Sequence, residues 1–271
     1  MTSPARDWQR TPSPLVVTLE KRSKPSPDRI SWPADPMRFL LTRPAPDCAR
    51  SAARLRALGH EAVEAPMLKM VATDPGVLDL AGVSALAVTS GRVGGLLADR
   101  GDLSTLLELP VYTVGNRSAE AMRAVGFDRV LSANGDFADL VNLILAEAPS
   151  GRVLYLAAAD RAGDLEGHLR RGSVACELVE VYRMDPVTDL EPAVLEVLKS
   201  EDLDALLLYS RRTAEALLAA LADHELMGLL SNLRVIAISQ QVASVLPDTA
   251  CVEVAAHPTE EALFAQALTG C

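Results

Sequence analysis

The sequence predicts an α/β protein made of two similar halves, each a parallel β-sheet flanked by helices. Three observations predict it. From Arg38 onward, short apolar runs alternate with amphipathic stretches whose apolar residues recur at three and four spacing. Glycines stand where those helices should stop, at Gly59, Gly126 and Gly172. The whole alternation then occurs a second time.

The first run of strands falls at 38–42, 61–65, 84–89, 111–114 and 128–131. The second falls at 151–156, 174–182, 204–209, 233–238 and 250–254. Helices are predicted over 46–58, 117–125, 136–147, 161–171, 211–222 and 259–268. In the repeat, Ser84-Ala85-Leu86-Ala87-Val88-Thr89-Ser90 matches Asp204-Ala205-Leu206-Leu207-Leu208-Tyr209-Ser210. Val111 to Gly115 matches Val235 to Ser239, and Asp136 to Ala148 matches Thr259 to Leu268. The openings match more weakly, Phe39 to Thr42 against Val153 to Leu156. The halves run over about 37–150 and 151–271. Strand-helix alternation of this kind builds parallel sheets covered on both faces.

Composition narrows the function classes. The 271 residues are 49% apolar and 23% charged, ordinary for globular domains. A net charge of −10 argues against a general nucleic-acid surface, and 4% aromatics against base-stacking platforms. Cys48, Cys176, Cys251 and Cys271 lack CxxC spacing, and the four histidines are dispersed, so neither a metal centre nor a disulfide framework is expected. No apolar run is long enough to span a membrane, and the cysteine usage fits a reducing cytoplasm as the expected location. No GxxxxGK[ST] loop, GxGxxG turn or GxSxG elbow occurs, so no nucleotide cofactor or hydrolase nucleophile is indicated. Residues 1–36 hold seven of the 17 prolines and no periodicity. They read as a disordered extension, or else Met37 is the true start.

Polar residues collect where the strands end, the place at which open parallel sheets bind ligands. Arg43 follows the first strand; Ser90 and Arg92 follow the third; Asn116, Arg117 and Ser118 follow the fourth. In the second half come Asp160 and Arg161, then Ser210, Arg211, Arg212 and Thr213, then Ser239, Gln240 and Gln241. Helix amino termini offer free N–H groups there, and arginine adds a fork for carboxylates or phosphates. Ser, Thr and Asn in such positions are also ordinary helix N-caps. As a set they point to a cofactor-free cleft for a polyanionic small molecule.

These residues resemble the uroporphyrinogen-III synthase family. Phe39-Leu40-Leu41-Thr42-Arg43-Pro44 is similar to the family's opening, and Val88-Thr89-Ser90 to its Phe-Thr-Ser strand end. Val114-Gly115-Asn116-Arg117-Ser118-Ala119 resembles its Val-Gly-x-x-Thr-Ala turn, with Ser118 in place of threonine. Glu180-Val181-Tyr182 and Leu208-Tyr209-Ser210 continue the series. Ser239-Gln240-Gln241-Val242-Ala243 departs from the Gly-Pro-Thr-Thr-Ala of many members and lacks its hydroxyls. The resemblance runs from Met37 to about Leu268.

The resemblance implies two lobes joined by a two-stranded linker: 37–66 with 187–271, and 74–179, linked through 67–73 and 180–186. It implies dehydrative cyclisation of hydroxymethylbilane, with inversion of ring D through a spiro intermediate, in heme and other tetrapyrrole biosynthesis. It implies no cofactor. Tyr182 takes the place of the family's tyrosine and is expected to assist loss of the hydroxyl. Arg43, Ser90, Arg92, Asn116, Arg117, Ser118, Arg161, Ser210, Arg211, Arg212 and Gln241 are expected to bind substrate. A monomer, coupled functionally to the deaminase that makes the bilane and binding neither nucleic acid nor membrane, completes the expectation. The rival reading is a non-catalytic two-lobed binding protein for an anionic metabolite.

Overall fold

The computed structural model describes residues 36–161 and 163–269. The extension expected over 1–36 therefore lies, Pro36 apart, outside the described residues. The strands are β1 (Arg38–Leu41), β2 (Glu61–Glu64), β3 (Leu68–Ala72), β4 (Val83–Val88), β5 (Val111–Thr113) and β6 (Val130–Ser132), followed by β7 (Arg152–Ala158), β8 (Cys176–Pro186), β9 (Ala205–Leu208), β10 (Arg234–Ala237) and β11 (Cys251–Val254). The helices are α1 (Asp47–Ala57), α2 (Arg92–Ala98), α3 (Leu103–Leu106), α4 (Asn116–Val125) and α5 (Phe137–Glu147), then α6 (Leu165–Arg171), α7 (Pro192–Lys199), α8 (Arg211–Asp223), α9 (Gln240–Ala243) and α10 (Glu260–Leu268).

Two sheets form. The first has the order β11-β10-β9-β1-β2 and is parallel throughout. The second has the order β3-β8-β7-β4-β5-β6 and is parallel except where β3 meets β8. The repeat explains this layout. β9, β10 and β11 of the first sheet correspond to β4, β5 and β6 of the second, and β1 corresponds to β7. Each sheet thus takes its opening strand from the other half of the sequence: β1 pairs β9, and β7 pairs β4.

The central strands are buried on both faces, so their residues alternate between two cores. Leu40, Leu206, Leu208, Val235 and Ala237 face one side with residues of α7 and α8. Phe39, Leu41, Ala205, Leu207 and Ile236 face the other with α1 and α10. In the second sheet Leu86, Val88, Leu154 and Leu156 pack with α2 and α4, whereas Ala85, Ala87, Val153 and Tyr155 pack with α5 and α6.

Several elements differ from expectation. The helix expected over 161–171 starts at Leu165, because Asp164 caps it by accepting from the Gly167 N–H; Arg161 is left on the loop. The strand expected over 174–182 continues to Pro186 because its second half gains β3 as partner, from Ala72 opposite Tyr182 to Leu68 opposite Pro186. β3 falls within 67–73, which the resemblance alone implies as a linker strand; α2, α3 and α7 have no counterpart in the sequence reading. In α2 the Gly94-Gly95 pair masks the helix, since glycine is a poor helix former. Gly94 is needed for packing: a Cβ there would lie 2.9 Å from the Ala121 carbonyl oxygen of α4. That close approach sets Arg92 beside Arg117. Gly59 and Gly126 adopt φ of +89° and +116° as helix-ending glycines should. Gly172 does not; Ser173 takes the left-handed conformation instead, at φ 63°.

Helix α5 is fixed by a capping box, in which Asp136 accepts from the Ala138 and Asp139 N–H groups and Asp139 accepts from the Asp136 N–H. Asp136→Ala should cost about 1 kcal/mol, which lowers the thermal midpoint of a protein of this size by about 2–4 °C, read by circular dichroism.

Candidate active site

Parallel strands all end on one edge of their sheet, and the helices that follow begin there. Two groups of polar side chains form on these edges. The first centres on Asp47, at the start of α1 after β1. Its carboxylate receives Arg92 at 2.8 Å and Arg117 at 3.3 Å, lies 3.7 Å from Arg43, and pairs with Arg50. Arg43 and Arg50 belong to the first sheet's side, and Arg92 and Arg117 to helices packed on the second. Burial, with repulsion from Arg117, Arg43 and Arg92, lowers the Arg50 guanidinium from its ordinary value. The Arg92 Nε is buried and has no hydrogen-bond partner among the described residues.

Arg43 also reaches into the first sheet's own edge. It donates to Ser51 Oγ at 3.0 Å and to Glu260 at 2.7 Å, and lies 4.4 Å from the centre of the Tyr209 ring. Glu260, at the start of α10, additionally holds Ser51 and Arg54. Burial would raise the Glu260 carboxyl, but the Ser51 hydroxyl and the charges of Arg43 and Arg54 outweigh it and hold it below the ordinary value.

The second group surrounds a cavity of about 330 Å³ over the carboxyl ends of β4, β5 and β7, lined by Thr89, Phe137, Tyr155, Asp160, Arg161 and Tyr182 among others. The Tyr155 hydroxyl and Thr89 Oγ1 share a hydrogen bond of 3.0 Å. Burial pushes the Tyr155 phenol upward, against that bond. Tyr182 is 4% exposed, and its hydroxyl makes no hydrogen bond with a described residue. Arg161 donates to the Ala159 carbonyl at 3.2 Å and pairs with Glu180 at 3.3 Å. Asp160 pairs at 2.9 Å with Arg212 of α8, which also donates to the Met184 carbonyl at 2.7 Å. A second arginine–carboxylate bridge thus ties the first sheet's helices to the second sheet.

Among the residues expected at the site, the structure brings Arg43, Arg92 and Arg117 together on Asp47, and Arg161 and Tyr182 together at the cavity, with Arg212 beside it. The others are spread out. Ser210 caps α8 by accepting from the Thr213 N–H, Ser90 accepts from the Arg92 N–H, and Asn116 donates to Asn134. Ser118 is buried in α4. Arg211 pairs with Glu215 one turn along α8, and Gln241 is exposed on the short α9. Sequence reasoning missed Asp47, Arg50, Thr89, Tyr155 and Glu260 as members of these groups. Two signals were available: Asp47 stands four residues after Arg43 at a helix start, and Tyr155 carries the only polar side chain within the run Val153 to Ala158.

The family model described as uroporphyrinogen-III synthase HemD matches residues 49–265. No curated protein matches the chain significantly. Among solved structures, the uroporphyrinogen-III synthetase of Helicobacter pylori is similar at 20% identity and a TM-score of 0.60, over 86% of this chain and 99% of that one. A uroporphyrinogen III synthase of Thermus thermophilus is 21% identical over 86% of this chain and 100% of that one, with a TM-score of 0.38. The first likeness speaks for the fold; the family rests on the match of the family model.

The Glu260 arrangement makes stability depend on pH with a definite sign. Its folded pKa is depressed, so its contribution is present above the unfolded value of 4.5 and is lost as pH falls through the folded one. Urea denaturation should show Glu260→Gln less stable than the parent at pH 7, with the gap narrowing below about pH 4.5. A gap that stays constant with pH would mean the charge contributes nothing.

Proposed function

The chain belongs to the uroporphyrinogen-III synthase family, and from that premise we propose how its own residues handle the substrate. The enzyme is a cyclising lyase that converts hydroxymethylbilane into uroporphyrinogen III, with loss of water and inversion of ring D. The pyrroles supply the electrons. The protein must fold the linear chain so that the substituted carbon of ring D meets the cationic centre left when the hydroxyl departs. That is a positioning task, helped by groups placed where charge develops.

The bilane is an octacarboxylate, and the arginines at the strand ends are matched to it. Arg43, Arg92, Arg117 and Arg212 orient the carboxylates from both sheets, and Arg161 holds one at the mouth of the cavity. Tyr182 donates a hydrogen bond or proton to the departing hydroxyl. The observation that carries this assignment is its hydroxyl, which is unpartnered among the described residues and belongs to a side chain lining the cavity. Thr89 and Tyr155 form the cavity's inner wall. At about 330 Å³ the cavity is at the small end for ligand pockets, so it takes the reacting end of the bilane and leaves the rest to the arginines outside.

The lobes of this reading are 37–66 with 187–271 and 74–179, and 67–73 and 180–186 are the linkers. The antiparallel pairing of β3 with the end of β8 supports it, since these strands lie where the chain passes between the sheets. Closure about them would exclude water from the reacting centre. No helix among the described residues is long and apolar enough to cross a membrane. A cytoplasmic monomer, taking its unstable substrate directly from the deaminase, fits this chemistry.

In a coupled assay, porphobilinogen and a deaminase supply the bilane, and oxidised products are separated as isomers. The protein should give mainly type III uroporphyrin, where its absence gives type I. Tyr182→Phe should lower kcat by about 100-fold, as loss of a general acid does, with little change in KM. Full dehydration rate in that variant would remove Tyr182 from the chemistry.

A further inference from the structure

The Asp47 cluster holds more positive charge than the protein's own carboxylates neutralise. Arg50, Arg92 and Arg117 have Asp47 as their ion-pair partner, and no other is found for them among the described residues. Arg43 is shared between Asp47 and Glu260. One carboxylate therefore serves three guanidinium groups and part of a fourth. Such a surplus in a structural bridge is costly; the Arg50 pKa is lowered first by burial and then by repulsion from Arg117, Arg43 and Arg92.

The hydrogen bonding is also incomplete in a specific way. Asp47 takes the Nη2 of Arg92 at 2.8 Å and leaves its Nε buried without a partner. A carboxylate sitting on the Nε–Nη2 edge would satisfy both, in the two-pronged geometry that arginine favours. Asp47 reaches Arg92 from the opposite sheet's helix and engages only one prong. A freely placed carboxylate is not so restricted.

We propose that the cluster of Arg43, Arg50, Arg92 and Arg117 is a subsite for one carboxylate side chain of the substrate, and that Asp47 occupies it as an internal surrogate until substrate arrives. The proposal rests on the family reading only in that the substrate is a polycarboxylate. Its consequence is specific. Asp47 competes with substrate for the same donors, so removing its charge strengthens binding, whereas removing a purely structural ion pair would weaken it or leave it unchanged. Entry of the substrate carboxylate also releases the link between α1 and helices α2 and α4. Binding and movement of the two sheets' elements are thereby coupled.

Asp47→Asn tests this, since asparagine keeps the size of aspartate and removes its charge, and Asp47 makes no capping hydrogen bond that the change would break. The probe is uroporphyrin III, which carries the same eight carboxylates and is not turned over, titrated by fluorescence at fixed ionic strength. Affinity should rise by about 3- to 5-fold, the scale of one partly exposed ion pair. Arg117→Gln, at a side chain 74% exposed and hence tolerant of change, should lower it by a similar factor and flatten its salt dependence. Unchanged or weaker binding in Asp47→Asn, or unchanged binding in Arg117→Gln, would overturn the proposal. The parent protein's yield of type III isomer is measured alongside. Its absence would strike the functional reading, and its presence with a failed titration would strike this inference alone.

Discussion

Arginine facing carboxylate at the ends of parallel strands is the interaction on which the rest of this molecule depends. A parallel sheet sends every strand's carboxyl end, and every following helix's amino end, to one edge. Helix dipoles make that edge positive before any side chain is added. This chain then adds Arg43, Arg92, Arg117, Arg161 and Arg212. Such an edge needs anions. In the structure they come from Asp47, Asp160, Glu180 and Glu260; in the proposed function they come from the substrate. An overall negative charge of −10 does not oppose this, since an edge can be locally positive in a protein that is negative overall.

The fold makes that edge two-sided. Because β1 completes the sheet of the second repeat and β7 that of the first, the chain must cross between sheets twice, through the segments that pair as β3 and the end of β8. Tyr182 stands where β8 passes from β7 to β3, opposite both Ala158 and Ala72. A group there lines the cavity of one sheet while belonging to the strand that leaves it. The cavity and the connection between the sheets thus meet in a few residues.

Much of the fold was legible in the sequence because the central strands are buried on both faces. Runs such as Phe39-Leu40-Leu41 and Leu206-Leu207-Leu208 have no polar alternation to confuse them, and the repeat doubled the signal. α2 was illegible because its packing on α4 demands glycine, which reads as a loop. β3 was illegible from its own pattern, because Lys69 and Met70 are exposed on a sheet edge where apolar patterning is weak; only the family resemblance implied a strand there. At the site, the arginines could be found from their position after strands. Their partners were mostly hidden: Glu260 lies 217 residues from Arg43, and Asp47, although four residues from Arg43, lies 45 from Arg92. The folding of the chain, which no local pattern encodes, brings them together. Ser90, Ser118 and Ser210 show the converse, hydroxyls in the right segments that turn to the backbone or into a helix.

An experimental structure of the protein bound to uroporphyrin III tests these assignments together. A ligand carboxylate should lie within hydrogen-bond distance of Arg92 Nε, with Asp47 displaced from it and a pyrrole ring beside Tyr182. A complex in which the ligand lies away from the strand ends, with the Asp47–Arg92 pair intact, would contradict them.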